Sequence, residues 1–269
     1  MTYQDLAGFQ TVQEARAAIR AGIFSGHTAG LAPGKLQCNI AILPEAYALD
    51  FLRFCLRNPK PCPIVGVGET GDPTLPTLGP DIDIRHDVPR YTLYRNGQFS
   101  EEVTDISEHW RDDMVTVALG CSFTFERALV AAGLPMRHVD QNVTVPMYRT
   151  NLELESGGAF GGKMVVSMRP LSGADIPRAV EICTRYPLAH GAPVHVGNPA
   201  AIGIAAMDQP DWGKAVTIHH DEVPVFWACG VTSQNALLSA GIPLVITHAP
   251  GHMLISDIEE DAALPIWKP

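Results

Sequence analysis

A stretch of 23 residues recurs once in this chain, and it constrains the fold more than any other feature. Asp113–Pro135 aligns with Asp221–Pro243 at an offset of 108, and ten of the 23 positions are identical. Looking for such repeats comes first because a repeated segment is a repeated structural unit. The matches have physical sense. Val115/Val223 and Val117/Val225 alternate, as on one face of a strand. Ala128/Ala236, Leu129/Leu237 and Ala132/Ala240 recur at helical spacing. Gly133/Gly241 ends the helix where a positive φ is needed. Cys121/Cys229 and Thr124/Thr232 flank the point where strand gives way to helix. There, free N–H groups and the helix dipole favour an anion. If both units share one sheet, Cys121 and Cys229 end neighbouring strands, and their loops face each other across a pseudo-twofold crevice. The plainer reading is that any strand–helix unit collects Ala, Leu and Gly.

The texture changes between the two units. The expected fold class is α/β: a mixed sheet flanked by helices, holding the repeat, with a smaller α+β domain inserted. The boundaries are 1–138 and 221–269 for the discontinuous α/β domain, and 139–220 for the insert. Thr11 and Glu14 form a capping-box signature for a helix over 12–21. Pro44 opens a second helix that Asn58-Pro59 stops. Asn96-Gly97 between 91–95 and 98–103 is a hairpin signal. Further strands are expected over 62–68, 114–119, 143–148, 163–168, 215–219, 223–228 and 244–247. Helices are expected over 124–132, 174–185 (capped by Ser172) and 232–240.

The chain carries 19 basic and 29 acidic side chains, a net charge of −10. An acidic chain repels phosphate backbones, so nucleic acid is not an expected partner. No segment approaches the ~20 apolar residues that span a bilayer, and the first residues lack the pattern of a signal peptide. Six scattered cysteines without a C-x-x-C pair read as reduced thiols, and the expected location is cytoplasmic.

Four Gly- and Pro-rich loops are the candidate chemistry. Gly120–Glu126 offers Ser122 and Thr124 to a carboxylate or oxyanion. Cys121 reads either as a low-pKa thiolate at a helix N-terminus or as a small buried cysteine. The second loop holds His190 and His195, and the third His248 and His252. Pro250-Gly251 interrupts the latter pair, so it is not a helical zinc pair, and no H-E-x-x-H is present. No cofactor is firmly implied; a divalent metal held by these four histidines is the minority reading. The fourth loop places Arg149 and Asn151, with Arg149 suited to clamp a carboxylate bidentately. The glycines of 157–162 match neither a P-loop nor G-x-G-x-x-G, so no nucleotide is inferred.

These segments carry a resemblance spanning nearly the whole chain. Gly26-His27-Thr28-Ala29-Gly30, Gln37 with Asn39 and Ala41–Pro44, Gly120-Cys121-Ser122-Phe123, Arg149-Thr150-Asn151, Val165–Pro170, His190–Pro193 with His195, Pro224–Thr232 and Thr247–Leu254 resemble the D-glutamate cyclase family of bacterial hydro-lyases. The resemblance implies a two-domain α/β enzyme that closes D-glutamate to 5-oxo-D-proline with loss of water. Ser233 stands where the family is expected to have proline.

The leading expectation is therefore a lyase acting on a small amino- or hydroxy-carboxylic acid. His195 and His248 are its acid–base pair, and Cys121 and Cys229 line the crevice. Arg149 holds the α-carboxylate. Ser122, Thr124, Thr232, Asn151, His190 and His252 complete the binding set. The partner is a small carboxylate, and a homo-oligomer is left open. One alternative is a cofactor-independent racemase using the two cysteines on opposite faces of an α-carbon. Another is a non-catalytic binding protein for acidic metabolites.

Overall fold

The computed structural model describes residues 9–262. Eleven strands form two sheets. The first contains β1 (Lys35–Pro44), β2 (Ile64–Val67), β3 (Tyr91–Arg95), β4 (Gln98–Val103), β5 (Met114–Gly120), β10 (Val245–His248) and β11 (Leu254–Glu259), in the order β2-β5-β1-β10-β3-β4 with β11 also on β1. The second contains β6 (Met147–Glu153), β7 (Lys163–Ser172), β8 (His195–Val196) and β9 (Glu222–Ala228), in the order β6-β7-β9-β8. Every pairing is antiparallel, so the expected mixed sheet is replaced by two antiparallel ones. The second sheet takes its strands largely from within 139–220, and β9 from the segment that follows.

Six α-helices accompany them: α1 (Val12–Arg20), α2 (Glu45–Arg57), α3 (Phe123–Ala131), α4 (Arg137–Asp140), α5 (Ile176–Thr184) and α6 (Val231–Ser239). The Thr11/Glu14 capping box is present at α1. At the β3–β4 turn Asn96 and Gly97 both have positive φ, the conformation a two-residue hairpin demands. Ser172 does not cap α5 as expected. Its hydroxyl accepts from Asp175 N–H in the turn before the helix, because Pro177 sets the first turn further on. Residues 215–219 form no strand, and β6 begins at Met147 rather than 143.

The repeated units do not end neighbouring strands of one sheet. β5 belongs to the first sheet and β9 to the second. After each strand the chain crosses over. Phe125 and Leu129 of α3 pack with Leu171, Val225 and Trp227 of the second sheet. Ala236 and Leu237 of α6 pack with Ala41, Leu43, Val117 and Val245 of the first. Each helix thus buries its apolar face on the other unit's sheet, removing apolar surface from water at about 25 cal/mol per Å². Cys121 and Cys229, at the two crossing points, still meet at one cavity.

The crossings need glycine. A Cβ on Gly120 would lie 1.4 Å from the Leu188 carbonyl oxygen, and one on Gly230 would lie 2.6 Å from Asn39 Nδ2. The strand ends therefore come closer to their neighbours than any side chain permits.

Candidate functional site

The edge of β1 opposite β5 is shared between two strands. β11 pairs with Lys35, Gln37 and Cys38; β10 pairs with Ala41 and Ile42. Between them Ala249–Met253 leaves the sheet, and Pro250 has no N–H to continue it. Opposite this gap no strand carbonyl receives the Ile40 N–H. It donates instead to Nδ1 of His248, at 3.2 Å.

The gap opens into a cavity of about 620 Å³. Its floor is made by the two crossing points: Cys121, Ser122, Phe123 and Glu126 from one unit, Cys229, Gly230, Val231 and Gln234 from the other. These are four pairs related by the offset of 108. Asn39, whose Nδ2 donates to the Gly120 carbonyl at 2.7 Å, sits beside them. His27, His138, His190 and His248 also line the cavity, with no lysine or arginine. Val139, Val143, Val145 and Met147 form an apolar wall.

The hydrogen-bond partners fix the tautomers of two histidines. His190, 1% exposed, places Nδ1 2.8 Å from the Lys60 carbonyl. A carbonyl only accepts, so Nδ1 carries the hydrogen and Nε2 keeps its lone pair. His248 is the reverse. Its Nδ1 accepts from a backbone N–H, so Nε2 carries the hydrogen. Burial above all lowers both to a pKa of about 4, with the charges of Arg169 and Lys60 contributing at His190 and His252 contributing at His248. Both are neutral at pH 7, one an acceptor and the other a donor.

The cysteines are not thiolates. Burial pushes Cys121 up to about 12 and Cys229 upward, outweighing the opposing pull of the Phe123 and Val231 N–H groups at the helix starts. The low-pKa reading of Cys121 is thereby overturned. Cys229 also lies 3.5 Å from the Met147 sulfur.

Beneath the floor lies a buried charge cluster. Glu126 accepts from Arg169 Nε at 3.1 Å and from Arg169 Nη2, and His138 Nε2 lies 3.2 Å from the same oxygen. Arg169 is fully buried, donates to Ser167 Oγ at 2.9 Å and lies against the rings of Phe125 and Trp227. Despite desolvation, which acts against ionisation, the neighbouring His138 and Arg169 hold Glu126 down to about 2. Sequence reasoning left out Glu126, His138, Arg169, Asn39 and His27 as site residues. The pairing of Glu126 with Gln234 in the repeat was a usable signal for the first.

Of the expected site residues, Cys121, Ser122, His190, Cys229 and His248 are brought together. Others stand apart. His195 on β8 has Nε2 2.8 Å from the Asn198 carbonyl, and its ring lies against Phe226 outside the cavity. Arg149 is exposed, paired with Asp211 at 3.3 Å and lying over Trp212. Asn151 is exposed on the same strand. Thr232 exchanges hydrogen bonds with the Val165 backbone and fastens α6 to β7. Thr124 is buried in a smaller hollow beside Arg127 and Glu260. His252 donates from Nδ1 to the Pro250 carbonyl and packs edge-on against His27. Among the described residues, no group of three His, Cys, Asp or Glu side chains is arranged to hold a metal ion. Among them, too, no helix is long and apolar enough to cross a membrane.

Comparison with known proteins agrees with the extent of this architecture. Residues 115–257, which include both crossing points, match the model of the D-glutamate cyclase family. Proteins named "Putative hydro-lyase" are similar over almost the full length. That of Jannaschia sp. is 64% identical over 253 residues, covering 94% of this chain and 95% of the relative. That of Dinoroseobacter shibae is 57% identical over 267 residues, covering 99% and 89%. That of Bordetella petrii is 54% identical over 258 residues, covering 96% and 97%. A nitrogen repressor-like protein from Methanococcus jannaschii gives a distant structural likeness, with a TM-score of 0.38 and 11% identity over 89% of this chain and 96% of its own. The chain belongs to the D-glutamate cyclase family.

Proposed function

We propose that the protein is a hydro-lyase that removes water from a small amino- or hydroxy-carboxylic acid, with closure of D-glutamate to 5-oxo-D-proline as the leading reaction. The observation that carries the reading is the complementary pair of neutral histidines on one cavity. Cyclisation needs an ammonium group received, a carboxylate held and a departing oxygen supplied with hydrogen. His190 Nε2 accepts from the ammonium. His248 Nε2–H donates to a carboxylate oxygen. The N–H groups of Phe123 and Val231, at the two helix starts, and the Ser122 hydroxyl receive the other oxygens. Helix starts favour an anion there without a lysine or arginine in the wall.

In this reading Cys121 and Cys229 are neutral lining groups. The two-cysteine racemase is disfavoured, because each step would need a thiolate that burial opposes. The roles first expected of Arg149 and His195 pass to the helix starts and His190. All six cysteines are free, which supports a reducing compartment such as the cytoplasm. We also read 139–220 as the unit closing over the cavity through Val139–Met147.

The test is incubation with a panel of D- and L-amino and hydroxy acids, with and without divalent metal, read by mass spectrometry. Loss of one water from D-glutamate or another member supports the reading; no loss from any member removes it.

A further inference from the structure

We infer that His138, seated on Glu126, is the catalytic group that carries the proton from the substrate nitrogen to the departing oxygen. The inference rests on the lyase reading above and adds a residue to it.

Cyclisation moves two hydrogens from an ammonium to an oxygen. The nitrogen gives up one proton, and its lone pair forms the C–N bond to the carboxyl carbon. That proton passes to a carboxyl oxygen. A second N–H proton follows to the same oxygen as the C–O bond breaks, with its electron pair leaving on oxygen as water. No oxidant, reductant or further reactant is needed. Some group must hold each proton between the two atoms.

Neither His190 nor His248 is built to do this. Each has one ring nitrogen committed to the backbone and no anion beside it, so a proton taken there would create a buried, unpaired imidazolium. His138 differs. It lines the same cavity, is nearly buried, and has Nε2 on the Glu126 carboxylate. Nε2 is the ring nitrogen turned to the carboxylate, at 3.2 Å, so Nδ1 is the one left for a substrate. A proton arriving at Nδ1 makes an imidazolium already facing its counter-charge. This is the logic of a carboxylate–histidine pair in nucleophilic hydrolases.

Arg169 completes the device. It binds the same Glu126 oxygen, so the carboxylate keeps a fully buried cationic partner whether or not His138 is protonated. The proton therefore stays on the histidine, free to return to substrate. Ser122 Oγ, 3.4 Å from Arg169 Nη2, ties this cluster to the start of α3. The groups facing His138 are thus Glu126 directly, and Arg169 and Ser122 through it.

The experiment uses the full chain and D-glutamate, or whichever acid of the panel loses water. His138→Ala is expected to lower kcat by about a hundredfold or more, the usual worth of a positioned proton carrier, with KM changed less than about threefold. Free imidazole is expected to restore at least about tenfold of the loss, which no purely structural role would allow. His138→Gln keeps an N–H for Glu126 but has no ring nitrogen to protonate. It should fold like the parent, be equally slow, and serve if the alanine variant does not fold. Turnover by either variant within about threefold of the parent overturns the role of His138 and leaves the lyase reading standing. So does loss in the alanine variant that imidazole does not rescue. A parent chain that dehydrates no acid overturns the lyase reading itself, and the role of His138 with it.

Discussion

Replacing His190 by Asn gives the sharpest test of the site's electrostatics. His190 has φ +73, a left-handed conformation that Asn tolerates, so the backbone is not strained by the exchange. The histidine is 1% exposed and its pKa falls from 6.5 to about 4 on folding. The unfolded chain therefore binds the extra proton between pH 6.5 and 4 while the folded chain does not. Stability from this residue is complete above pH 6.5 and declines as the pH falls, at up to about 1.4 kcal/mol per pH unit. From pH 7 to 4.5 the loss comes to about 2 kcal/mol. His248 adds a loss of the same sign in the same window, and it is common to parent and variant, so it cancels in the comparison. Glu126 behaves oppositely in origin. Its carboxyl lies at about 2 against 4.5 unfolded, so its contribution is intact above pH 4.5 and fades below it. The assay is urea unfolding of parent and variant at pH 7 and 4.5. The parent should lose about 2 kcal/mol more than His190→Asn between the two, whatever the variant's absolute stability. Equal losses would refute the claim that His190 is held neutral by burial.

Other outcomes follow from the geometry. His195→Ala and Arg149→Ala should each keep turnover within about threefold of the parent, since neither side chain reaches the cavity; a hundredfold loss in either would move the site toward β6 and β8. Cys121 and Cys229 should resist alkylation by iodoacetamide at pH 8 in the folded chain and react on unfolding, as counted by mass spectrometry; rapid modification would restore the racemase reading. In deuterated water, product from D-glutamate should carry no deuterium at Cα, and its appearance would favour proton exchange there. Gly120→Ala should cost about 3 kcal/mol or more in a thermal melt, because its Cβ would collide with a backbone carbonyl.

Much of the fold could be read from residue patterns, but not its connectivity. The hairpin at Asn96-Gly97, the capping box at Thr11 and the two strand–helix units each have a local cause. β1 does not. Every residue from Leu36 to Pro44 is buried, so the strand is covered on both faces and shows no alternation. The central strand is thereby the hardest to see. Which sheet receives α3 and α6 depends largely on contacts between residues from about forty to nearly two hundred positions apart, which periodicity does not encode. For the site, loop composition led to Cys121, Ser122, His190, Cys229 and His248. It also led to Arg149 and His195, because an exposed ion pair and a cavity residue look alike in a string of letters. Glu126 closes the first of those loops and His138 lies on a four-residue helix without a sequence signal, so neither stands out by residue type or spacing.

The crossing of α3 and α6 has a mechanical consequence. Each helix is rooted in one sheet and anchored on the other, so the pair acts as two cross-braces spanning the same joint. Swinging the sheets apart would drag an apolar helix face into water on both sides at once. Access to the cavity is then a matter for its rim, at 24–29, 139–145 and 249–253, while the floor keeps its spacing. A ligand meets hydrogen-bond donors and acceptors that are already in register and spends little of its binding energy arranging them.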